Sequence, residues 1–162
     1  MWRAGTEGCH MTVTDAPQVS PIAPEQTALI ANKLNTWRDD MPAIDLDPLA
    51  GSNPQAFAVT LNGKMVGGYL MISIQAANEI VGLAVDPAYR RRGFGRMCCM
   101  DALFRSGKRP LVMTATDASV GFAKAVGFKL VGKRKQPDGT FLTRLGWHAP
   151  RPSSDPNTPP GC

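Results

Sequence analysis

Residues 79–105, EIVGLAVDPAYRRRGFGRMCCMDALFR, constrain what this chain can fold into more than any other stretch. Ile80, Val81, Leu83, Ala84 and Val85 form an apolar run without strict alternation, the pattern of a central strand covered on both faces. Asp86-Pro87 stops it, because proline offers no ladder donor and drives its predecessor out of helical geometry. Arg90, Arg91, Arg92, Gly93, Phe94, Gly95 and Arg96 follow, and then Met97, Met100, Leu103 and Phe104 recur on one predicted helical stripe. Two glycines thus stand at a helix start. There the backbone N–H groups lack intrahelical partners and the helix dipole is positive, so anionic oxygens bind the main chain directly. Glycine also permits a close approach and an amide nest. Strand, turn, basic loop and helix together predict a device for holding a diphosphate.

Two other readings compete. A dinucleotide-binding fingerprint needs a third glycine where Cys98 stands, in a tight turn directly after its strand. Seven residues separate Val85 from Gly93, too many for that turn. A solvated basic face is the usual fate of an arginine run and suits Arg92, but the position between strand and helix argues against it for the loop as a whole.

The order R-x-x-G-x-G, filled by Arg90, Gly93 and Gly95 after a strand ending LAVDP, resembles the acyl-CoA-binding motif of the GNAT family of N-acetyltransferases. Gly127-Phe128, closing a later predicted helix, is a second feature of the same family. The resemblance spans roughly residues 24–147. It implies acetyl-CoA as co-substrate and no metal. It further implies that the loop from Arg90 to Arg96 holds the CoA pyrophosphate while the backbone of Leu83, Ala84 and Val85 pairs with the pantetheine arm.

The chain of 162 residues is 43% hydrophobic, enough for one domain with a sizeable core. Residues 1–20 show no periodicity and read as a flexible leader, with Met11 an alternative start and residues 12–14 a weak edge-strand signal. The acetyltransferase domain is expected over 21–148, and the proline-rich 149–162 as a disordered tail. Pro24 and Glu25 suit a helix start, and Ile30, Leu34 and Trp37 lie on one face of that first helix. Asn62-Gly63 predicts a hairpin between strands 55–61 and 64–74, and Gly67-Gly68 a bulge or close approach in its second arm. Pro110 opens another strand, LVMTA. Thr116 or Asp117 can cap the helix that ends at Gly127, and a closing hairpin turns at Pro137-Asp138-Gly139. The layout is α/β, a mixed central sheet with helices on both faces, as in the resembled family.

No apolar run is long enough to span a bilayer and the first residues lack a signal-peptide core, so a cytoplasmic protein without membrane contact is expected. Cys9, Cys98, Cys99 and Cys162 lack metal-ligand spacing, and the adjacent pair reads as small, reduced core residues. His10 and His148 suggest exposed positions rather than chemistry.

An amine attacking a thioester must be neutral, so a base or a water relay is needed. Glu79, six residues before Val85, stands where the histone-modifying branch of the resembled family carries its base. An unperturbed glutamate titrates near ~4.3, so burial or a relay water has to assist. The resemblance suggests the Val85 amide as donor to the tetrahedral oxyanion. Family members often place a tyrosine four residues before the glycine of the G-F ending, as acid for the departing sulfur; here Ala123 stands there. Ser119 and Tyr69 remain as candidate proton donors, whereas Tyr89 fits packing better.

The acceptor is less defined. Asp39, Asp40, Asp45 and Asp47 fall where the family walls its acceptor pocket and would attract a cationic small amine, although aspartates also simply favour turns. The formal charge of +5, with Lys133, Arg134, Lys135 and Arg144 on the closing hairpin, leaves an amine on nucleic acid or peptide open. A homodimer is also open. The competing class is a non-catalytic CoA-binding or nucleic-acid-binding protein on the same fold, prompted by Ala123.

Overall fold

The computed structural model describes residues 16–38, 43–117 and 119–147. The leader up to residue 15, Asp39 and Asp40, both histidines, Cys9, Cys162 and the tail therefore lie outside the described residues.

Seven strands form one mixed sheet in the order β1-β2-β3-β4-β5-β7-β6. They are β1 (Gln18–Pro21), β2 (Gln55–Leu61), β3 (Lys64–Ser73), β4 (Asn78–Val85), β5 (Leu111–Thr116), β6 (Lys129–Lys135) and β7 (Phe141–Trp147). Helix α1 (Thr27–Asn35) lies on one face, and α2 (Phe94–Ser106) and α3 (Val120–Val126) on the other. The expected α/β layout is thus present. One boundary moves: β1 begins at Gln18, inside the stretch expected as a leader, and pairs antiparallel with β2.

The local signals act as their chemistry dictates. Asn62 and Gly63 take φ of 53° and 78°, the left-handed pair that turns a two-residue hairpin. A side chain at Gly68 would meet the Phe57 carbonyl oxygen at 2.5 Å, the close approach its sequence suggested. Ile30 and Leu34 of α1, and Trp37 just beyond its end, are buried against Ala56, Leu70 and Ala84 of the sheet.

Helix α2 departs from its expected stripe. Phe94, Cys98, Cys99, Ala102 and Ser106 are buried, while Met100 is half-exposed and Phe104 is 86% exposed. Mostly small side chains face the sheet because the helix packs close to it; Met97 and Leu103 pack partly buried against the same core, and Met100 and Phe104 turn outward. Cys98 and Cys99 are fully buried, as expected of core residues, and Cys99 is pushed up to about 12, chiefly by burial.

Candidate active site

The site begins with a defect in the sheet. Along β3, Leu70 faces Gly82 but Met71 faces Ile80, so Val81 is an extra residue in β4. Such a bulge bends its strand and ends regular pairing. On the other side of β4 the parallel ladder with β5 comprises only Asn78–Leu111, Glu79–Val112 and Ile80–Met113. Beyond Ile80 the two strands diverge.

Which backbone groups face that gap follows from their partners. Arg38 Nη1 donates to the Leu83 carbonyl at 3.5 Å, and Arg90 Nε to the Val85 carbonyl at 3.2 Å. In an antiparallel ladder a residue's N–H and C=O point to the same side, so the Leu83 and Val85 amides face away from β3, into the gap. The gap is a cavity of about 620 Å³, lined by residues 80–85, by Met113 and Thr114 of β5, by Trp37 and Arg38 beyond α1, by Ser119 and Phe122, and by the basic loop.

At the loop end, Asp86 Oδ1 accepts the Ala88 N–H at 3.0 Å and sets a 3-10 turn over Pro87–Tyr89. Gly93 caps α2 at φ 86°, a left-handed conformation glycine adopts without strain, and Arg91 also takes positive φ at 64°. The first helical bond runs from Met97 N to Gly93 O, leaving the Phe94, Gly95 and Arg96 N–H groups without an acceptor inside the helix. A Cβ at Gly95 would lie 3.0 Å from Phe122 Cζ, so glycine lets α3 close over the loop.

The predicted residues separate into three groups. Leu83, Ala84, Val85, Arg90, Arg91, Gly93, Phe94, Gly95, Arg96 and Ser119 all line the cavity. Arg90 is there as a strut: its Nη2 donates to the Trp37 carbonyl at 2.6 Å while Nε holds Val85, tying the loop to the end of α1. Ser119 Oγ accepts the Thr116 N–H at 3.0 Å, steadying the turn before α3.

Glu79 stands one pair short of the ladder's end, but its carboxylate does not line the cavity; Oε1 accepts from Arg144 Nη2 at 3.3 Å across β5. The pair lies where the strands start to separate.

Arg92 and Tyr69 do not join the site. The Arg92 guanidinium lies 5.2 Å from the Tyr89 ring centroid, outside the cavity, as a solvated arginine would. Tyr69 does not line the cavity: it is fully buried in the core beneath α2, stacked on Phe57 at 4.7 Å and donating to Asp101 Oδ2 at 2.6 Å. Burial, and then the Asp101 carboxylate, drive its phenol far above the usual range. Asp101 in turn accepts from Arg105 at 2.7 Å. Tyr69 therefore serves the core and not proton transfer. The aspartate wall is also corrected where it can be seen: Asp45 and Asp47 are exposed and Asp45 Oδ1 accepts the Asp47 N–H at 3.1 Å, a turn role, with neither lining the cavity. Ala123 is fully buried, so that position contributes no group to the cavity.

Sequence reasoning missed three contributors. Phe122 is 39% exposed and walls the cavity. Gly82 is the floor on which Ile44 rests: a Cβ there would meet Ile44 Cδ1 at 2.2 Å. Asn35 clamps Ile44 in place, Nδ2 donating to its carbonyl at 3.1 Å and Oδ1 accepting its N–H at 2.8 Å. Isolated glycine and asparagine letters carry no such message.

A model of the Acetyltransferase (GNAT) family matches residues 23–128. The chain belongs to this family. Among solved structures it resembles the ribosomal-protein-S18-alanine N-acetyltransferase from Escherichia coli at 18% identity and a TM-score of 0.68, over 86% of this chain and 98% of that one. A GNAT family acetyltransferase from Elizabethkingia anophelis with acetyl-CoA bound matches at 17% identity and 0.62, over 83% and 99%. An aminoglycoside 6'-N-acetyltransferase complexed with coenzyme A matches at 13% and 0.66, over 84% and 99%. At these identities the likeness carries the GNAT fold. No curated protein sequence matches the chain. Among the described residues no helix is long and apolar enough to cross a membrane, and no cluster of potential metal ligands is found.

Proposed function

We propose that this GNAT acetyltransferase transfers the acetyl group of acetyl-CoA to a primary amine by direct attack in a ternary complex. The observation that carries the reading is the single cavity joining the N-terminus of α2, whose first amides have no side-chain cap, to the unpaired edge of β4. The first suits a pyrophosphate. The second offers the Leu83 and Val85 amides to an extended amide-bearing arm, as a neighbouring strand would receive them. A diphosphate at the loop directs that arm along β4 towards Ile80 and places the thioester near the closed end of the gap.

The chemistry then balances simply. The amine nitrogen forms a bond to the acetyl carbon, the carbon–sulfur bond breaks, one amine proton leaves, and the sulfur departs as thiolate. An amide on the open β4 edge receives the developing oxyanion. Glu79 is the base, acting through a water since its carboxylate faces Arg144 beside the cavity. A thiol titrates near ~8.5, so its thiolate leaves readily close to neutral pH even with alanine at position 123. Ser119, on the cavity wall, is a hydroxyl candidate for reprotonating it. No cysteine nucleophile is needed, since Cys98 and Cys99 are both buried away from the cavity.

Glu79→Gln tests the reading. Turnover, followed as free thiol release, is expected to fall by on the order of 10²-fold while calorimetry still registers CoA binding. Unchanged turnover would remove Glu79 from the mechanism.

A further inference from the structure

Helix α1 covers only part of its face of the sheet. Its buried partners come from β2, β3 and β4, and its core cluster contains no residue of β5, β7 or β6. A second concavity of about 270 Å³ is lined by those three strands. Thr114 lines both it and the donor cavity, so the two meet there.

Its construction points to an anion. Gly132 lies opposite Arg144 in the β6–β7 ladder, next to a register shift that leaves Val131 as an extra residue. A Cβ at Gly132 would meet nothing within 4 Å, so the missing side chain opens the floor. Arg144 flanks that floor from β7 and Arg134 from β6, while Leu142 is the apolar member opposite Arg134. Arg144 gives one nitrogen to Glu79, and a guanidinium carries five N–H donors, so others stay available. Arg134 is exposed and forms no ion pair among the described residues. No carboxylate lines the concavity. Lys133 also borders the concavity, but its ammonium lies 5.8 Å from the Phe141 ring centroid, on the other face of the sheet, and adds no charge to the floor.

We propose that this concavity is the anion subsite for the acceptor, so that the amine accepted by the enzyme carries a carboxylate or phosphate at its other end. The inference rests on the acetyl-transfer reading, which places the amine beside Glu79 and Thr114. Strands lie about 4.8 Å apart, so the floor at Gly132, two strands from Thr114, is about 10 Å away. An α-amino acid is too short to bridge that distance. An ω-amino acid with a chain of about six atoms, or the matching amino-alkyl phosphate, spans it. Arg144 then does two things at once: it holds Glu79 and senses the acceptor's charge.

The experiment compares 6-aminohexanoate, 5-aminopentyl phosphate, 1,6-diaminohexane and glycine, by acetyl-CoA consumption and by calorimetry on CoA-loaded protein. The expected result is a KM for one of the long anionic amines at least about tenfold below that of the diamine and of glycine. Arg134→Ala should raise that KM by about tenfold, the scale of one charge-assisted hydrogen bond, with Arg134→Lys restoring most of it and the KM for acetyl-CoA unmoved. Whichever of carboxylate and phosphate binds better names the source of the anion. Preference for the diamine, or an anionic-amine KM indifferent to Arg134→Ala, overturns the proposal. Absence of turnover with every amine sinks the transfer reading; calorimetry then decides the subsite alone, upheld if anion binding is lost in Arg134→Ala and overturned if the unaltered protein binds neither anion. A single-stranded oligonucleotide that binds more tightly than both, with affinity falling steeply in salt, gives the surface to nucleic acid and also overturns it.

Discussion

The two faces of the sheet follow opposite plans. On the side of α2 and α3, Leu111, Met113, Ala115 and Leu145 of the far strands are buried together with Tyr69 and the helix cysteines, and the face is closed as far as Leu145 of β7. On the other side α1 closes only β2 to β4, and the far strands present Thr114, Arg144 and Gly132 to a concavity. Several polar groups on the closed face are spent on each other, as with Tyr69, Asp101 and Arg105, or Asn78 bonding Ser106 at 3.1 Å, although the buried Thr143 hydroxyl has no such partner. Those on the half-covered face, Glu79 and Arg144, stay within reach of a ligand. One sheet thus serves as core on one side and, in the proposed mechanism, as reaction surface on the other.

The contrast breaks most readily at the seam between the faces. Gly95→Glu places bulk and negative charge at the α2 N-terminus, and CoA affinity should fall at least about 100-fold, the loss of one or two charge-assisted hydrogen bonds. Calorimetry checks this; retained affinity would move the donor site elsewhere.

Two leucines three residues apart on β7 sharpen it. Leu145→Ala empties a fully buried site on the closed face and should cost about 2–5 kcal/mol in urea unfolding. Leu142→Ala, on the open face, should cost less than about 1 kcal/mol. Equal losses would mean that the second concavity is packed core.

Alkali offers a third test. Burial raises the Cys99 thiol from 9.0 to about 12, and Cys98 and Tyr69 move the same way. For acids raised on folding, the unfolded chain loses its protons first, so the stability is fully present below pH 9 and is lost as pH climbs towards 12. Cys99 alone should remove on the order of 2 kcal/mol by pH 10.5. A urea midpoint that stays flat from pH 8 to 10.5 would contradict a closed face.

Tyr69→Phe should cost about 1.5–3 kcal/mol for one hydrogen bond to the Asp101 carboxylate, with kcat unchanged. A tenfold loss of kcat in a stably folded variant would return Tyr69 to the chemistry.

Much of this protein was determined by its local sequence. Asp86-Pro87, Gly93 and Gly95 enforce a strand end, a left-handed cap and an open helix start wherever they occur in this order, because those are steric properties of a few consecutive residues. The first helix face, the Asn62-Gly63 hairpin and the α/β layout were legible for the same reason. The tertiary structure alone decided which way side chains turn. The burial stripe of α2 depended on how closely the helix lies on the sheet, the fate of Tyr69 on the partner across from it, and the role of Gly82 on Ile44 resting above it. Likewise Glu79 meets Arg144 from 65 residues away because β5 lies between their strands. Strand order and the bulge at Val81 are properties of pairing between distant segments, and no local periodicity encodes them.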